Sequence, residues 1–355
     1  MPTLFEKKLT FYPTYGYRPQ DGSGVWRIPA RAWVRNERPM PPDSVIRLCV
    51  DEEGELSEKL FLRLKECVRD FVARDNEGEE VRFTFDGDPA REKFRLRGET
   101  DGNGIIIEEF DLPDEAAGRI IAAQPDAGRG GWLKLTAETS GLSGKATSSS
   151  AVRLTEPHGL SVVSDIDDTV KVTEVPAGKR AVLRRTFLMD YEEAEGMRER
   201  YQKILERNPD FDNVAFHYVS GSPWQLFRLL HEFLVGTAGF PAGTFHMKGV
   251  NVDLEDFVSS FRDIGKLLAG SEDTERQKRE QISEVMRRFP GRKFILIGDS
   301  GERDPEVFRW LKGQFGDQVT KIYIRDVTEL GEGAERLGGM LRLDTRGVCL
   351  QEGGD

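Results

Sequence analysis

The chain has 355 residues, enough for two ordinary domains that each bury a core, and its 38% hydrophobic and 32% charged residues mark a soluble, globular protein. A net charge of −11 excludes a general nucleic-acid binder, whose affinity rests on cationic excess. Cys49, Cys67 and Cys349 are too few and too scattered for a disulfide framework or a zinc site, and the four histidines have no paired spacing. The opening MPTLFEKKLTFYPTYGY lacks the apolar core of a signal peptide, and no stretch approaches the ~20 apolar residues that span a bilayer. The expectation is a cytoplasmic protein, with peripheral contact at a membrane surface as an option.

Residues 1–157 carry period-two patterning and turn chemistry. Arg82 to Phe85, Phe94 to Arg97, Ile105 to Phe110 and Trp132 to Ala137 read as strands. Asp101-Gly102-Asn103-Gly104 has the composition of a hairpin turn between two of them, and another strand pair flanks Ser140-Gly141. One segment departs from this: Leu56, Leu60, Leu64, Cys67 and Phe71 recur every three or four residues, the spacing of an amphipathic helix. An antiparallel β-sandwich with one inserted helix is expected here, with no catalytic chemistry.

After Pro157-His158-Gly159 the rhythm becomes apolar strands alternating with helices. Leu160 to Val163, Val214 to Val219, Lys293 to Ile297 and Lys321 to Ile324 are the strand candidates. Such alternation predicts an α/β, doubly wound, mostly parallel sheet over 158–335, with helices on both faces. Residues 336–355 read as a loosely ordered tail. Ligands of such sheets bind off the carboxyl ends of the strands, so the residues after each strand are the ones to read.

Four constellations carry chemistry. Asp165-Ile166-Asp167-Asp168-Thr169 ends the first strand; if the strand continues, Asp165 and Asp167 share a side. One carboxylate can attack phosphorus and the other can move a proton, although Asp-Asp-Thr also suits a plain turn or cap. Gly298-Asp299-Ser300-Gly301-Glu302-Arg303-Asp304-Pro305 ends another strand, where Asp299 and Asp304 can complete an oxygen-ligand site for Mg2+. Asp304 before Pro305 also fits an ordinary helix start. Ser220-Gly221-Ser222-Pro223 closes a third strand and opens a helix, a local anion site or merely a cap. Lys278 lies four residues before Ile282 on the apolar face of a helix, where its charge needs an acidic partner.

In this order the four pieces resemble the haloacid dehalogenase superfamily of phosphotransferases. SDIDDTVKVTEV, GMRERYQKI, YVSGSPWQL, FPAGTFHMK and FPGRKFILIGDSGERDPEVF followed by KIYIRDV look like the catalytic domain of the actin patch protein 1 type of phosphatidate phosphatases, over roughly residues 158 to 328. The resemblance implies Asp165 as nucleophile, Asp167 as general acid/base, Thr169 orienting the loop, Ser220 holding a phosphoryl oxygen and Lys278 stabilising the phospho-intermediate. It also implies Mg2+ on Asp165, Asp299 and the Asp167 carbonyl, supported by Asp304. Residues 169–190 would then form a flap, where Lys171, Lys179, Arg180, Arg184 and Arg185 interleave with Val182, Leu183, Phe187, Leu188 and Met189. That mixture predicts a basic, apolar surface for an anionic phospholipid, with Gly221 beside Ser220 at the headgroup. The alternative is that the apolar members pack inward and the cations are solvated. Phosphatidate, giving diacylglycerol, leads as substrate; a soluble phosphomonoesterase and an adaptor acting through the β-sandwich are the competing functions.

Overall fold

A computed structural model describes residues 6–48, 56–127, 131–141, 144–210, 213–250, 259, 272–330 and 335–351. The chain forms two compact units: residues 1–39 with 72–159, and residues 40–71 with 160–355.

The first unit contains two sheets. One joins β1 (Lys7–Phe11), β3 (Val25–Asn36), β4 (Arg74–Asp75) and β7 (Ile105–Pro113), all paired antiparallel. The other runs in the order β2 (Thr14–Gly16), β9 (Gly144–Leu154), β8 (Trp132–Gly141), β5 (Val81–Phe85), β6 (Phe94–Arg95), antiparallel except for β2 beside β9. Alternate residues of β3, namely Trp26, Ile28, Ala30, Ala32 and Val34, enter one apolar cluster with Val81, Phe83 and Phe85 of β5 and Leu133, Leu135 and Ala137 of β8. The cluster also takes Ala116, Ala117 and Ile120 from the helix Asp114–Ala123. Sequence periodicity overlooks that helix because alanine supplies most of its apolar side. Asp101–Gly104 is a turn, with Gly104 N–H donating to Asp101 O at 2.8 Å, but not a hairpin: β6 pairs with β5, whereas β7 pairs with β3.

The second unit holds a six-stranded parallel sheet in the order β12 (Thr244–Lys248), β11 (Ala215–Pro223), β10 (Gly159–Asp165), β13 (Arg292–Asp299), β14 (Val319–Arg325), β15 (Leu341–Leu343). The strand order reverses at β10, whose neighbours are β11 on one side and β13 on the other. Every residue of β11 is buried, as is all but Lys293 of β13, consistent with a sheet covered on both faces. The buried Arg292 ties the amino ends together, its Nε donating to Ser161 Oγ at 2.9 Å and its Nη1 to Asn213 Oδ1 at 2.8 Å.

Two expectations are corrected here. The helix Glu58–Val68, capped by Ser57 accepting from Leu60 N–H, belongs to this unit and not to the strand-rich one. Phe61, Leu64, Cys67 and Val68 are its buried residues, the Cys67 thiol donates to Thr186 O at 3.9 Å, and Phe71 just beyond meets Phe187 edge-on at 5.9 Å. Residues 336–351 are not a loose tail: β15 extends the sheet, and Arg342 Nη2 donates to Asp326 Oδ2 at 2.6 Å. Residues 331–334 and 352–355 lie outside the described residues.

Candidate active site

The carboxyl ends of β10, β11 and β13 deliver Asp165, Ser220 and Asp299 to one place at the point where strand order reverses, the crevice position for ligands of such sheets. Two clusters of side chains meet there. In the first, Asp165, Asp299 and Asp304 each offer a carboxylate oxygen, all within 4.8 Å of one another and all buried. Lys278, on the inward face of the helix Glu272–Arg288, sends its ammonium into this group, 2.7 Å from Asp165 Oδ1, 2.6 Å from Asp304 Oδ1 and 2.7 Å from Glu302 Oε2. Asp304 is the first residue of the helix Asp304–Phe315 and accepts Asp299 N–H at 3.2 Å, so the helix start holds its carboxylate at the end of β13. Position 298 must lack a side chain, since a Cβ there would lie 2.3 Å from Asp304 Oδ2.

Asp299 Oδ1 accepts the backbone N–H groups of Gly301 at 2.6 Å and Glu302 at 3.1 Å. Its Oδ2, like Asp165 Oδ2, is buried and has no hydrogen-bond partner among the described residues. Two orphaned anionic oxygens beside a third carboxylate suit a hard cation, which prefers oxygen ligands. The triad can therefore hold a metal ion. Four carboxylates around one ammonium also disturb each other's protonation. Burial pushes the Asp165 carboxyl well above its ordinary range; Lys278 opposes this, while Asp304, Glu302 and Asp299 add to it. Asp299 is raised in the same way, and burial pushes Glu302 up to about 7. Burial works against the Lys278 charge, but the surrounding carboxylates outweigh it and hold the ammonium protonated.

Asp167 belongs to the second cluster. Sequence periodicity put it on the side of Asp165, but β10 ends at Asp165, so the alternation that would align them stops there. Asp167 Oδ2 accepts the hydroxyls of Ser220 at 3.0 Å and Ser222 at 3.1 Å; Oδ1 accepts Lys171 Nζ at 3.1 Å and Thr173 Oγ1 at 2.8 Å. Burial disfavours its charge, yet Lys171 and these hydrogen bonds hold Asp167 below the ordinary carboxylate range. Its side chain is not part of the carboxylate triad. Thr169 is buried, with its hydroxyl unpartnered among the described residues. Gly221 is buried within β11, where a Cβ would come 2.8 Å from the Thr274 methyl, so the glycine is a packing requirement of the strand end.

The predicted flap surface divides differently. Lys171 is fully buried and engaged by Asp167, and Val182, Leu183, Phe187 and Leu188 are buried as well. Arg185 pairs with Glu192 at 3.1 Å and with Glu174. Lys179 and Arg180 lie on the helix Lys179–Leu183, and Arg184 follows it. What remains exposed is charge without the apolar stripe. Lys171, Thr173 and Glu302 are the site residues that sequence reading missed. A Lys two positions before a Thr and four after Asp167 was a usable signal, whereas nothing local distinguished Glu302 from a loop carboxylate.

A parallel sheet that gathers three carboxylates, a buried ammonium and two hydroxyls at its strand ends defines a site for a small, highly charged group. Residues 160–326 match the family model described as phosphatidate phosphatase APP1, catalytic domain. Phosphatidate phosphatase APP1 of Saccharomyces cerevisiae is 30% identical over 237 residues, covering 66% of this chain and 36% of that protein. An uncharacterized protein of Schizosaccharomyces pombe is 29% identical over 180 residues, 50% of this chain and 27% of that protein. The chain thus spans about a third of the length of these curated relatives. A solved sialyltransferase structure from Photobacterium damsela, at TM-score 0.21 and 8% identity over 70% of this chain and 37% of that one, carries no argument. Among the described residues no helix is long and apolar enough to cross a membrane.

Proposed function

We propose that this protein is a Mg2+-dependent phosphatase of the haloacid dehalogenase type that forms an aspartyl-phosphate on Asp165 and converts phosphatidate to diacylglycerol. The observation that carries the reading is Asp165 itself: one oxygen is held by Lys278 and the other, beside Asp299 and Asp304, is buried without a partner among the described residues. A magnesium ion on Asp165, Asp299 and Asp304 would supply charge neutralisation for a transferring phosphoryl group.

In this reading Lys278 fixes the orientation of Asp165 for attack on phosphorus and balances the negative charge that accumulates. Ser220 and Ser222 fix Asp167. Asp167 rests ionised, so an arriving phosphate raises its proton affinity by like-charge proximity. Asp167 takes a proton from solvent or from the arriving phosphate monoanion and passes it to the oxygen of the leaving alcohol as the P–O bond breaks; the carboxylate so restored takes a proton from the water that cleaves the aspartyl-phosphate. The match to the phosphatidate phosphatase catalytic domain supports a phosphorylated lipid as substrate. The two-sheet unit is read as the β-sandwich that accompanies the catalytic unit.

One observation favours a second reading, a phosphomonoesterase for soluble substrates: Val182, Leu183, Phe187 and Leu188 are buried, which takes the large apolar residues of the 179–188 segment away from a lipid chain. Phosphate release measured across phosphatidate, lysophosphatidate, glycerol phosphate and an aryl phosphate, with and without Mg2+, separates the two. Preference for the diacyl substrate is the expected result, and loss of at least 1,000-fold in Asp165→Asn. Full activity in Asp165→Asn overturns the mechanism.

A further inference from the structure

A cavity of about 210 Å3 lies in the second unit between the helix Met197–Glu206 and the sheet. Its floor includes Leu160 and Ile295 and its walls carry Arg200, Lys203, Arg207 and Lys321; no Asp or Glu is among the described residues that line it. In a chain with 62 acidic and 51 basic residues, four cations and no acid around one small cavity is a local inversion of charge. The cavity is separate from the aspartates: Leu160, the second residue of β10, lies five positions before Asp165, a strand distance of about 16 Å.

The local sequence explains the arrangement. Arg200, Lys203 and Arg207 recur at intervals of three and four, the spacing that puts residues on one helix face, and Ile204 among them adds apolar surface to the same wall. Lys321 and Tyr323 alternate on one face of β14 and supply the opposite wall. Arg200 is held in place, its Nη2 donating to Gly347 O at 3.0 Å and its guanidinium 5.4 Å from the centre of the Tyr323 ring. A helix C-terminus accounts for some positive charge, since Lys203 and Arg207 lie in or just past the last turn. It does not account for Arg200 on the first turn or for Lys321 on the strand.

We propose that this cavity binds a phosphate monoester or phosphonate dianion carrying a short aliphatic body, the charge met by Arg200, Lys203, Arg207 and Lys321 and the chain resting on Leu160 and Ile295. Arginine and lysine at converging positions match a multiply charged oxyanion, and the aliphatic floor favours an organic anion over the bare ion. The inference does not depend on the reaction proposed above, because the cavity shares no residue with the candidate active site.

The test is lysine acetylation footprinting of the full chain, read by mass spectrometry, with hexylphosphonate, inorganic phosphate or NaCl of equal ionic strength. Hexylphosphonate is expected to slow modification of Lys203 and Lys321 at least threefold while leaving Lys179 unchanged, with phosphate protecting less. Equal protection by phosphate and hexylphosphonate assigns the site to the anion alone and overturns the role of the floor. Protection matched by NaCl, or absent, overturns the site. Lys203→Gln with Lys321→Gln, both on the protein's accessible surface, is expected to weaken hexylphosphonate binding by calorimetry at least tenfold with turnover of an aryl phosphate unchanged. Unaltered affinity in this variant refutes the proposal.

Discussion

Asp168 offers a test of how the loop after β10 is built. Its carboxylate accepts three consecutive backbone N–H groups, from Thr173 and Glu174 at 2.7 Å each and from Val175 at 2.6 Å, while its own carbonyl accepts Arg325 Nη1 at 2.8 Å. It does so at φ +56°, a left-handed conformation that Asp and Asn tolerate better than most residues. Asp168→Asn keeps the conformation and one acceptor oxygen but turns an amide donor toward Val175 N–H, losing one charge-assisted bond, about 1.5–3 kcal/mol. Because the loop can open without unfolding the sheet, that energy appears as local opening, roughly 10- to 100-fold faster amide exchange at 173–175. Asp168→Gly keeps φ at no steric cost and removes both acceptor oxygens and with them all three bonds, so it exchanges faster still and separates the hydrogen bonds from backbone strain. Hydrogen exchange by NMR or mass spectrometry, referenced to the amides of β10, measures both. Unchanged protection of 173–175 in the Gly variant refutes the argument. Since Thr173 also touches Asp167, turnover should fall in both variants, by less than in Asp165→Asn.

Three further outcomes follow from the site and its surroundings. Lys278→Ala leaves Asp165, Glu302 and Asp304 buried without their cation and is expected to destabilise the second unit by about 3–5 kcal/mol, measured by urea unfolding; an unchanged midpoint contradicts the ion cluster. Magnesium at a hundredfold over its dissociation constant should stabilise the protein by about 2.7 kcal/mol, and Asp299→Asn should abolish most of that shift in thermal denaturation; an equal shift in the variant moves the metal elsewhere. Burial, with a smaller contribution from Arg288, lowers His246 to about 4. The unfolded chain therefore binds a proton that the folded chain refuses between about pH 6.5 and 4, and stability falls with acidification across that window by up to about 1.4 kcal/mol per pH unit. His246→Gln should flatten that part of the profile, and a parallel profile in the variant excludes this histidine as the cause.

What the sequence disclosed tracks the physics of each element. Strands β10, β11, β13 and β14 were legible because buried parallel strands are unbroken apolar runs, whereas β12, TFHMK, and β15, LRL, are short and carry charge. The helix Glu58–Val68 was legible as a helix but not by location: its amphipathic spacing states that one face is covered, and only the folded chain states that Thr186 and Phe187 do the covering. Lys278 was found because an ammonium on an apolar helix face demands an acid. Lys171 was misread as surface charge because the same demand, made from a loop, has no periodicity to expose it.

Asp165 and Asp167 stand two residues apart and are chemically alike in the sequence; their surroundings separate them. Asp165 sits among three other carboxylates with a single shared ammonium, and its proton affinity rises. Asp167 receives two serines, a threonine and a lysine of its own, and its proton affinity falls. Pairs of carboxyls driven apart in this way can divide labour, one forming a bond and the other moving a proton. The division here is set by where β10 stops. If the strand ran two residues further, Asp167 would share the side of Asp165 and join the carboxylate group, and one lysine would face five acids. Ending the strand at Asp165 turns Asp167 toward Ser220 and Lys171 instead. Asp168, by gathering the three amides of 173–175, keeps that turn closed.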